Sequence, residues 1–456
     1  MNADSHDLTK GSLPRGILLF SLPLILSNLL QVLFNMSDVA VVGRFAGEIP
    51  LGAVGSTTML VGLFTGFLIG VGCGVNVLVA RSFAGGDREE LRRTVHSSLL
   101  ISLFVGFLLL LLGLFCSRPM LLLLNTKEDL LPGAVLYMKI YFLGMPAMAV
   151  YNFGNAVFSA VGDTKRPLYY LTAAGLLNLG LNLFFVIVCR MDVDGVALAS
   201  IISQYLSSFL ILLALFRTHE PYGLSLKHLR LSGVSAKAIL ILGLPAGFQN
   251  AIFQIANLFI QSGVNSFDTL VVAGNSAAAN ADTIIYTIMA AFYTAASSYI
   301  GQNFAVSDRN RVRKTYLIAD GYAFAAGAVC GALLLLFGRE FLMLFTDKAE
   351  VAEAAMPRLR IMAFSYAVSA FMDNSIAASR GLGKAFVPTI IVVMGSCVFR
   401  IAWIYTVFAH FHTLLSLYLL YIFSWSLTGI AETVYFIHSY RKLMPKDKKR
   451  KKEDVN

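Results

Sequence analysis

The chain has 456 residues, is 57% hydrophobic but only 14% charged, and carries a formal net charge of +10. Soluble proteins carry about 25% charged residues, so this composition excludes a soluble globular protein and points to a polytopic membrane protein. The positive balance does not imply nucleic acid, because the basic residues fall in short loops between apolar runs and in the tail 441–452, which suits an anionic lipid surface.

The N-terminus (MNADSHDLTKG) is polar, and the first apolar run is long enough to span a bilayer, so no cleavable signal is expected. Twelve apolar runs follow one another: 16–43, 51–80, 94–117, 132–160, 167–189, 195–216, 236–264, 271–300, 315–338, 354–379, 387–409 and 413–440. One set of alternating loops, with both termini, holds 26 of the 36 Lys and Arg residues, and the opposite set holds six. The positive-inside rule then puts both termini in the cytoplasm, a parity that twelve spans satisfy.

Run 1 contains one ionisable residue, Asp38. A carboxylate in such a helix is costly and marks a functional position. Asn28, Gln31, Asn35 and Asp38 share one helical face, which must look into protein or a watery cavity. Run 2 carries Gly62, Gly66, Gly70 and Gly74, a stripe that lets another helix approach closely. Run 4 has Asn152 and Asn155, run 5 has Asn178 and Asn182 one turn apart, and run 6 offers Ser200 and Gln204. These are expected to face the same interior as Asp38 and form an amide-rich chamber around one carboxylate. Burial opposes ionisation of such a group while hydrogen-bond donors favour it. The chamber therefore suits exchange of a proton, or of Na⁺ on the same oxygen atoms.

The second half repeats the first. A shift of 221 residues lays FAGGDREELRR (83–93) on FAVSDRNRVRK (304–314) with five identities. A shift of 222 lays Asn28 on Asn250 and Asn35 on Asn257. Six spans per half is even, so the halves share one orientation about a pseudo-twofold axis along the membrane normal. The expected fold is all-α, with two six-helix bundles: an N-lobe over 16–216, a basic cytoplasmic linker over 217–235 and a C-lobe over 236–440, flanked by a cytoplasmic N-terminus (1–15) and a basic tail (441–456). Such halves suit alternating access, with the substrate between them.

Run 7 carries a second polar stripe, Asn250, Gln254, Asn257 and Gln261, without a carboxylate. Run 8 holds Asp282, open between a site and a structural pair. Run 10 holds Asp373, the second candidate acid. Arg400 in run 11 needs a partner, and Glu432 in run 12 is expected to snorkel to the cytoplasmic interface. Gln31, Phe34, Asn35, Asn152, Asn155, Gln254, Asn257 and Asp373 are the candidate substrate residues. Asp38, Asn178, Asn182 and Ser200 are the candidate coupling-ion residues. Aromatic side chains near these stripes suit amphipathic aromatic cations. The five cysteines show neither CxxC nor Cys/His spacing, so neither a disulfide framework nor a metal site is expected.

The segments LFNMSDVAVVGR, ARSFAGGDREELRR, SAVGDTKRPL, GLPAGFQN and IGQNFAVSDRNRVRK, taken in order, resemble the multidrug and toxic compound extrusion (MATE) transporters over essentially the whole chain. The resemblance implies a V-shaped pair of bundles in the inner (plasma) membrane. It also implies export of organic, often cationic drugs, driven by inward H⁺ or Na⁺, with no cofactor. Asp38 falls on the family's acidic residue of helix 1 and Asn178 on its helix-5 asparagine. The DNA-damage-inducible-F-like branch, the nearer one, has a second acid where this chain has Asn182. The NorM-like branch has a glutamate near Phe253 and an aspartate near, but not on, Asp373. A monomer is expected. A lipid-linked glycan flippase is the alternative, but it calls for more basic residues in the membrane interior than Lys139, Arg358, Arg360 and Arg400. No HExxH, acyltransferase pair or nucleophile elbow suggests an enzyme.

Overall fold

The computed structural model describes residues 7–445. The first six residues and most of the expected basic tail (446–456) lie outside the described residues. Within them the chain is helical, as hydrocarbon demands of a backbone that must satisfy its own hydrogen bonds. The helices are α1 (Leu13–Ala46), α2 (Glu48–Gly85), α3 (Arg88–Leu123), a bent α4 (Leu131–Leu143 with Met145–Ala160), α5 (Lys165–Val188) and α6 (Val193–Arg217). The second half continues with α7 (Gly233–Val264), α8 (Thr269–Ala305), α9 (Arg309–Met343), α10 (Ala349–Gly381), α11 (Phe386–Phe411) and α12 (Leu414–Leu443).

Ten of these helices are long and apolar enough to cross a membrane, and the α4 pair, bent by 47° at Gly144 just before Pro146, makes an eleventh. α10 is not among them: it carries Arg358, Arg360, Asp373 and Arg380 and is largely buried by its neighbours. The expected single run 4 is therefore corrected to a broken helix.

The repeat is visible in the helix starts. α2 and α8 begin at Glu48 and Thr269, α3 and α9 at Arg88 and Arg309, α5 and α11 at Lys165 and Phe386, and α6 and α12 at Val193 and Leu414, each pair 221 residues apart. The most similar loop segments do the same local work. Asp87 caps α3 by accepting from the Glu89 and Glu90 amides, and Asp308 caps α9 by accepting from the Arg311 amide.

The halves meet along a seam that is itself symmetric. Asn28 Nδ2 donates to the Thr287 carbonyl at 3.1 Å, and its repeat-mate Asn250 Nδ2 donates to the Gly66 carbonyl at 2.9 Å. Nearer the termini, Gln302 Nε2 donates to the Ala160 carbonyl at 2.7 Å and Arg81 Nη2 to the Gly381 carbonyl at 3.3 Å. The segment before α1 is strapped over this end: Gln302 Oε1 accepts from the Leu8 amide at 3.0 Å, and Asn303 and Arg311 donate to the Leu8 carbonyl.

The glycine stripe of α2 sets the crossing with α7. A Cβ on Gly70 would lie 2.4 Å from the Gly247 nitrogen, and one on Gly74 2.6 Å from the Gly243 nitrogen. The gap widens away from the termini, to 3.5 Å at Gly66 and 3.9 Å at Gly62, and nothing lies within 4 Å at Gly55. The halves are thus closed at the end that carries both termini and part toward the other. Gln31, Asn35 and Asn257 lie beyond the contact and are exposed.

Gly70→Ala is expected to force α2 and α7 apart and to destabilise the protein by about 1–3 kcal/mol, read as a lower thermal midpoint in detergent. Gly321→Ala on α9, where a Cβ meets open space, is expected to be neutral or to stabilise by about 0.5–1 kcal/mol.

Candidate functional site

Asp38 lies near the end of α1 farther from the termini and is 9% exposed. Its Oδ1 accepts from Asn182 Nδ2 at 2.5 Å and its Oδ2 from Ser200 Oγ at 3.1 Å. Asn182 Nδ2 also donates to Asn178 Oδ1, one helical turn back, at 3.2 Å. Three helices thus converge on one carboxylate, and all four expected coupling residues fall in one cluster. Among the described residues no Lys or Arg forms an ion pair with Asp38. Tyr137 and Tyr141 of α4, both buried and stacked at 5.8 Å, stand within electrostatic reach of it. The sequence reading missed these two rings, although they are spaced one turn apart on the run that holds Lys139.

The local backbone is unusual at both main elements. α1 widens into a π turn at Val42–Ala46 and α5 into one at Phe184–Val188, each within four residues of its polar group, and the two turns touch. Such turns are rare and cluster at functional positions. One polar atom of the cluster is left over: Asn182 Oδ1 is buried and without a partner. A carboxylate, a hydroxyl and a free amide oxygen form an oxygen set that can hold a proton between acid and amide, or a small hard cation.

The other expected members are placed elsewhere. Asn152 Nδ2 turns back to the Met148 carbonyl at 3.0 Å, and the side chain lines a small void with Gly72 and Ser102 between α2, α3 and α4. No described hydrogen bond joins Asn152 or Asn155 to Asp38. Both lie on the bent segment of α4, whose rotation the spacing of polar residues does not reveal. Phe34 packs onto α5, where a Cβ on Gly175 would collide with its ring. Gln31, Asn35 and Asn257 are exposed, and Gln254 lies near Gly62 of α2. Gln204 is wedged against Gly144 and its carbonyl oxygen has no partner.

In the second half, Asp282 resolves as a structural pair. It accepts from Arg358 Nη2 and from the Tyr366 hydroxyl, while Arg358 Nη1 donates to Asn275 Oδ1 at 2.7 Å. Arg400 is 1% exposed and lies among the rings of Phe253, Tyr421 and Trp425 at 4.9–5.6 Å, with Nε donating to Ser424 Oγ at 3.2 Å. Asp373 stands within electrostatic reach of Arg380 and Arg400 and has no described hydrogen bond. Glu432 does not snorkel: it is 0% exposed, enclosed by α10 and α11, and the expectation is corrected. Asp320 of α9, which accepts from Asn374 Nδ2 at 3.3 Å, is a further interior acid that the sequence reading passed over.

Asn182→Asp would place two carboxylates at hydrogen-bond distance. They cannot both ionise at that separation, so the variant is expected to hold one shared proton. The carboxylic C=O band that Asn182→Asp adds to the infrared difference spectrum should persist at a pH where the parent's Asp38 band is lost, and Asp38→Asn should remove only the Asp38 contribution.

The MatE family model matches this chain twice, over residues 23–184 and 245–406. The probable multidrug resistance protein YpnP of Bacillus subtilis (strain 168) is 30% identical over 381 residues, covering 83% of this chain and 85% of the relative. A second B. subtilis protein, the probable multidrug resistance protein YoeA, is 24% identical over 393 residues, covering 84% and 85%. Among solved structures, a MOP superfamily transporter from Pyrococcus furiosus has the same fold, with a TM-score of 0.90 at 22% identity over 96% of this chain and 98% of that one. The two matches of the family model fall on the two repeated halves, and the chain belongs to the MatE family.

Proposed function

We propose that the protein is a secondary-active exporter of organic cations and other amphipathic drugs, exchanging them for inward H⁺ by alternating access. The observation that carries the reading is Asp38, a carboxylate inside a membrane helix held by two asparagines and a serine and by no cation. A group in that setting can be neutralised by a proton or by a cationic ligand, and competition between the two is the minimum an antiporter needs. The resemblance to proteins named for multidrug resistance supports the same reading. It does not favour the flippase alternative.

In this reading the twelve helices are twelve spans, with residues 16–216 and 236–440 as lobes, 217–235 as the linker and both termini cytoplasmic. The molecule sits in the plasma membrane as a monomer and binds its substrate between the lobes, with Gln31, Asn35, Gln254 and Asn257 among its contacts. Asp373 is the second-lobe acid nearest in role to Asp38. The seam closed at the termini end then makes this the outward-facing state, in which protons reach Asp38 from outside. With asparagine rather than a second acid at Asn182, the coupling chemistry of the first lobe rests on Asp38 alone in this reading. A one-for-one exchange of H⁺ for a monovalent cation moves no net charge. The pH difference then drives it, at about 1.4 kcal/mol, or tenfold in concentration, per pH unit.

A sodium-coupled reading has one specific observation in its favour: Asn182 Oδ1, buried and unpartnered beside Asp38 and Ser200, is an oxygen ligand in waiting.

In energised everted vesicles, addition of an ethidium-like cation is expected to release lumenal protons with the parent protein and not with Asp38→Asn, whether or not Na⁺ is present. Normal export by Asp38→Asn would refute the site. Export driven by a Na⁺ gradient without a pH gradient would replace H⁺ by Na⁺.

A further inference from the structure

Glu432 of α12 is enclosed more completely than Asp38 and is served far worse. It is fully buried, and neither carboxylate oxygen has a hydrogen-bond partner. Two contacts fix its level: Thr433 Oγ1 lies 3.1 Å from Ser375 Oγ, and a Cβ on Gly429 would lie 3.4 Å from the Met372 nitrogen. Glu432 therefore faces the stretch of α10 that runs from Asp373 to Arg380, and these two charges act on it. On α11 the nearest cation is Arg400, occupied by its ring of aromatic side chains and Ser424 and acting on Asp373. Where α7 meets α10 and α11 it offers an amide, Gln249.

Among the described residues Arg380 forms no ion pair with either acid. Its Nη2 donates to Gln249 Oε1 at 3.0 Å, and its Nη1 reaches Cys73 Sγ of α2, across the seam, at 4.0 Å, while its Nε is buried without a partner. One side chain thus links an unsatisfied buried acid to one of the contacts between the two halves. We propose that Glu432 is a second proton-carrying residue, and that Arg380 transmits its charge state to the seam between the halves. The proposal adds a second acid to the exchange cycle and in that respect rests on the antiport reading.

The step is a plain proton transfer. With the proton on a Glu432 carboxyl oxygen, the side chain is neutral and needs no counter-ion, and Arg380 is free to hold Gln249 and Cys73. When the O–H bond breaks and the proton passes to water, the electron pair remains on a buried carboxylate that must find a cation or donors. Arg380 is the cation in reach. Its Nε already lacks a partner, and swinging toward Glu432 costs the contacts to Gln249 and Cys73. The α2–α10 side of the seam then loosens.

Cys73 is a built-in reporter. The test uses the full-length purified protein in detergent with the other four cysteines changed to serine, and follows maleimide labelling of Cys73 against pH, normalised to a free thiol at each pH. The parent rate is expected to rise with pH beyond that of the free thiol. Glu432→Gln should lose this dependence and stay at the parent's acid-pH rate, Arg380→Gln should label fast at every pH, and Asp38→Asn should keep the parent profile. A Glu432→Gln profile that tracks the parent overturns the proposal, as does a parent profile without pH dependence. If Glu432→Gln is not monodisperse, Arg380→Gln decides alone: a pH-dependent rate in that variant overturns the proposal. If Asp38→Asn by itself abolishes the dependence, the proposal fails while the antiport reading survives. Failure of Asp38 in the vesicle assay, by contrast, leaves the Cys73 profile unaffected.

Discussion

A carboxylate cannot sit unsupported in hydrocarbon, and the first half of this protein is arranged around meeting that constraint at Asp38. The support comes from neutral donors, Asn182 and Ser200, with Asn178 holding Asn182 in place. Neutral donors steady the ionised form without fixing it, which is what the proposed exchange of a proton or a passing cation asks of the site. An arginine in the same place would have removed that option. The second half shows the contrast: Asp282 is tied to Arg358 and Tyr366 and serves as part of the frame.

The seam extends the same logic to the whole molecule. Gene-duplicated halves make repeat-equivalent contacts, so that Asn28 and Asn250 reach reciprocal carbonyls, as do Gln302 and Arg81. Bonds of this kind contribute about 0.5–1.5 kcal/mol each, enough to define a closed end and few enough to be exchanged for another set. The backbone approach at Gly70 and Gly74 is where α2 and α7 pack most closely. The close glycine approach thus lies nearer the seam contacts of Gln302 and Arg81, and Asp38 lies toward the other end of α1.

Much of this was legible in the sequence, for physical reasons. Asp38, Asn178, Asn182 and Ser200 stand out because polar atoms are rare and expensive in apolar runs. The repeat stands out because the loop motifs cap helices in both halves. The surroundings of Asn152 and Asn155 were not legible, because polar spacing fixes a helical face but not the neighbour that face meets, and the bend at Gly144 lies between them and the start of α4. Glu432 was misjudged because distance from a helix end says nothing about how deeply neighbours enclose it. Arg380 falls just outside the apolar run 354–379, and its contact with Cys73 joins residues 307 apart, which spacing along the chain does not reveal.

The most direct test of the central claim needs no membrane gradient. Purified protein in weakly buffered detergent solution, titrated with an ethidium-like cation beside a pH indicator, should release about one proton per cation bound when both compete for one carboxylate. Asp38→Asn should bind without release, and added Na⁺ should leave the ratio unchanged. Equal proton release from the parent and Asp38→Asn, or none from either, would contradict the account.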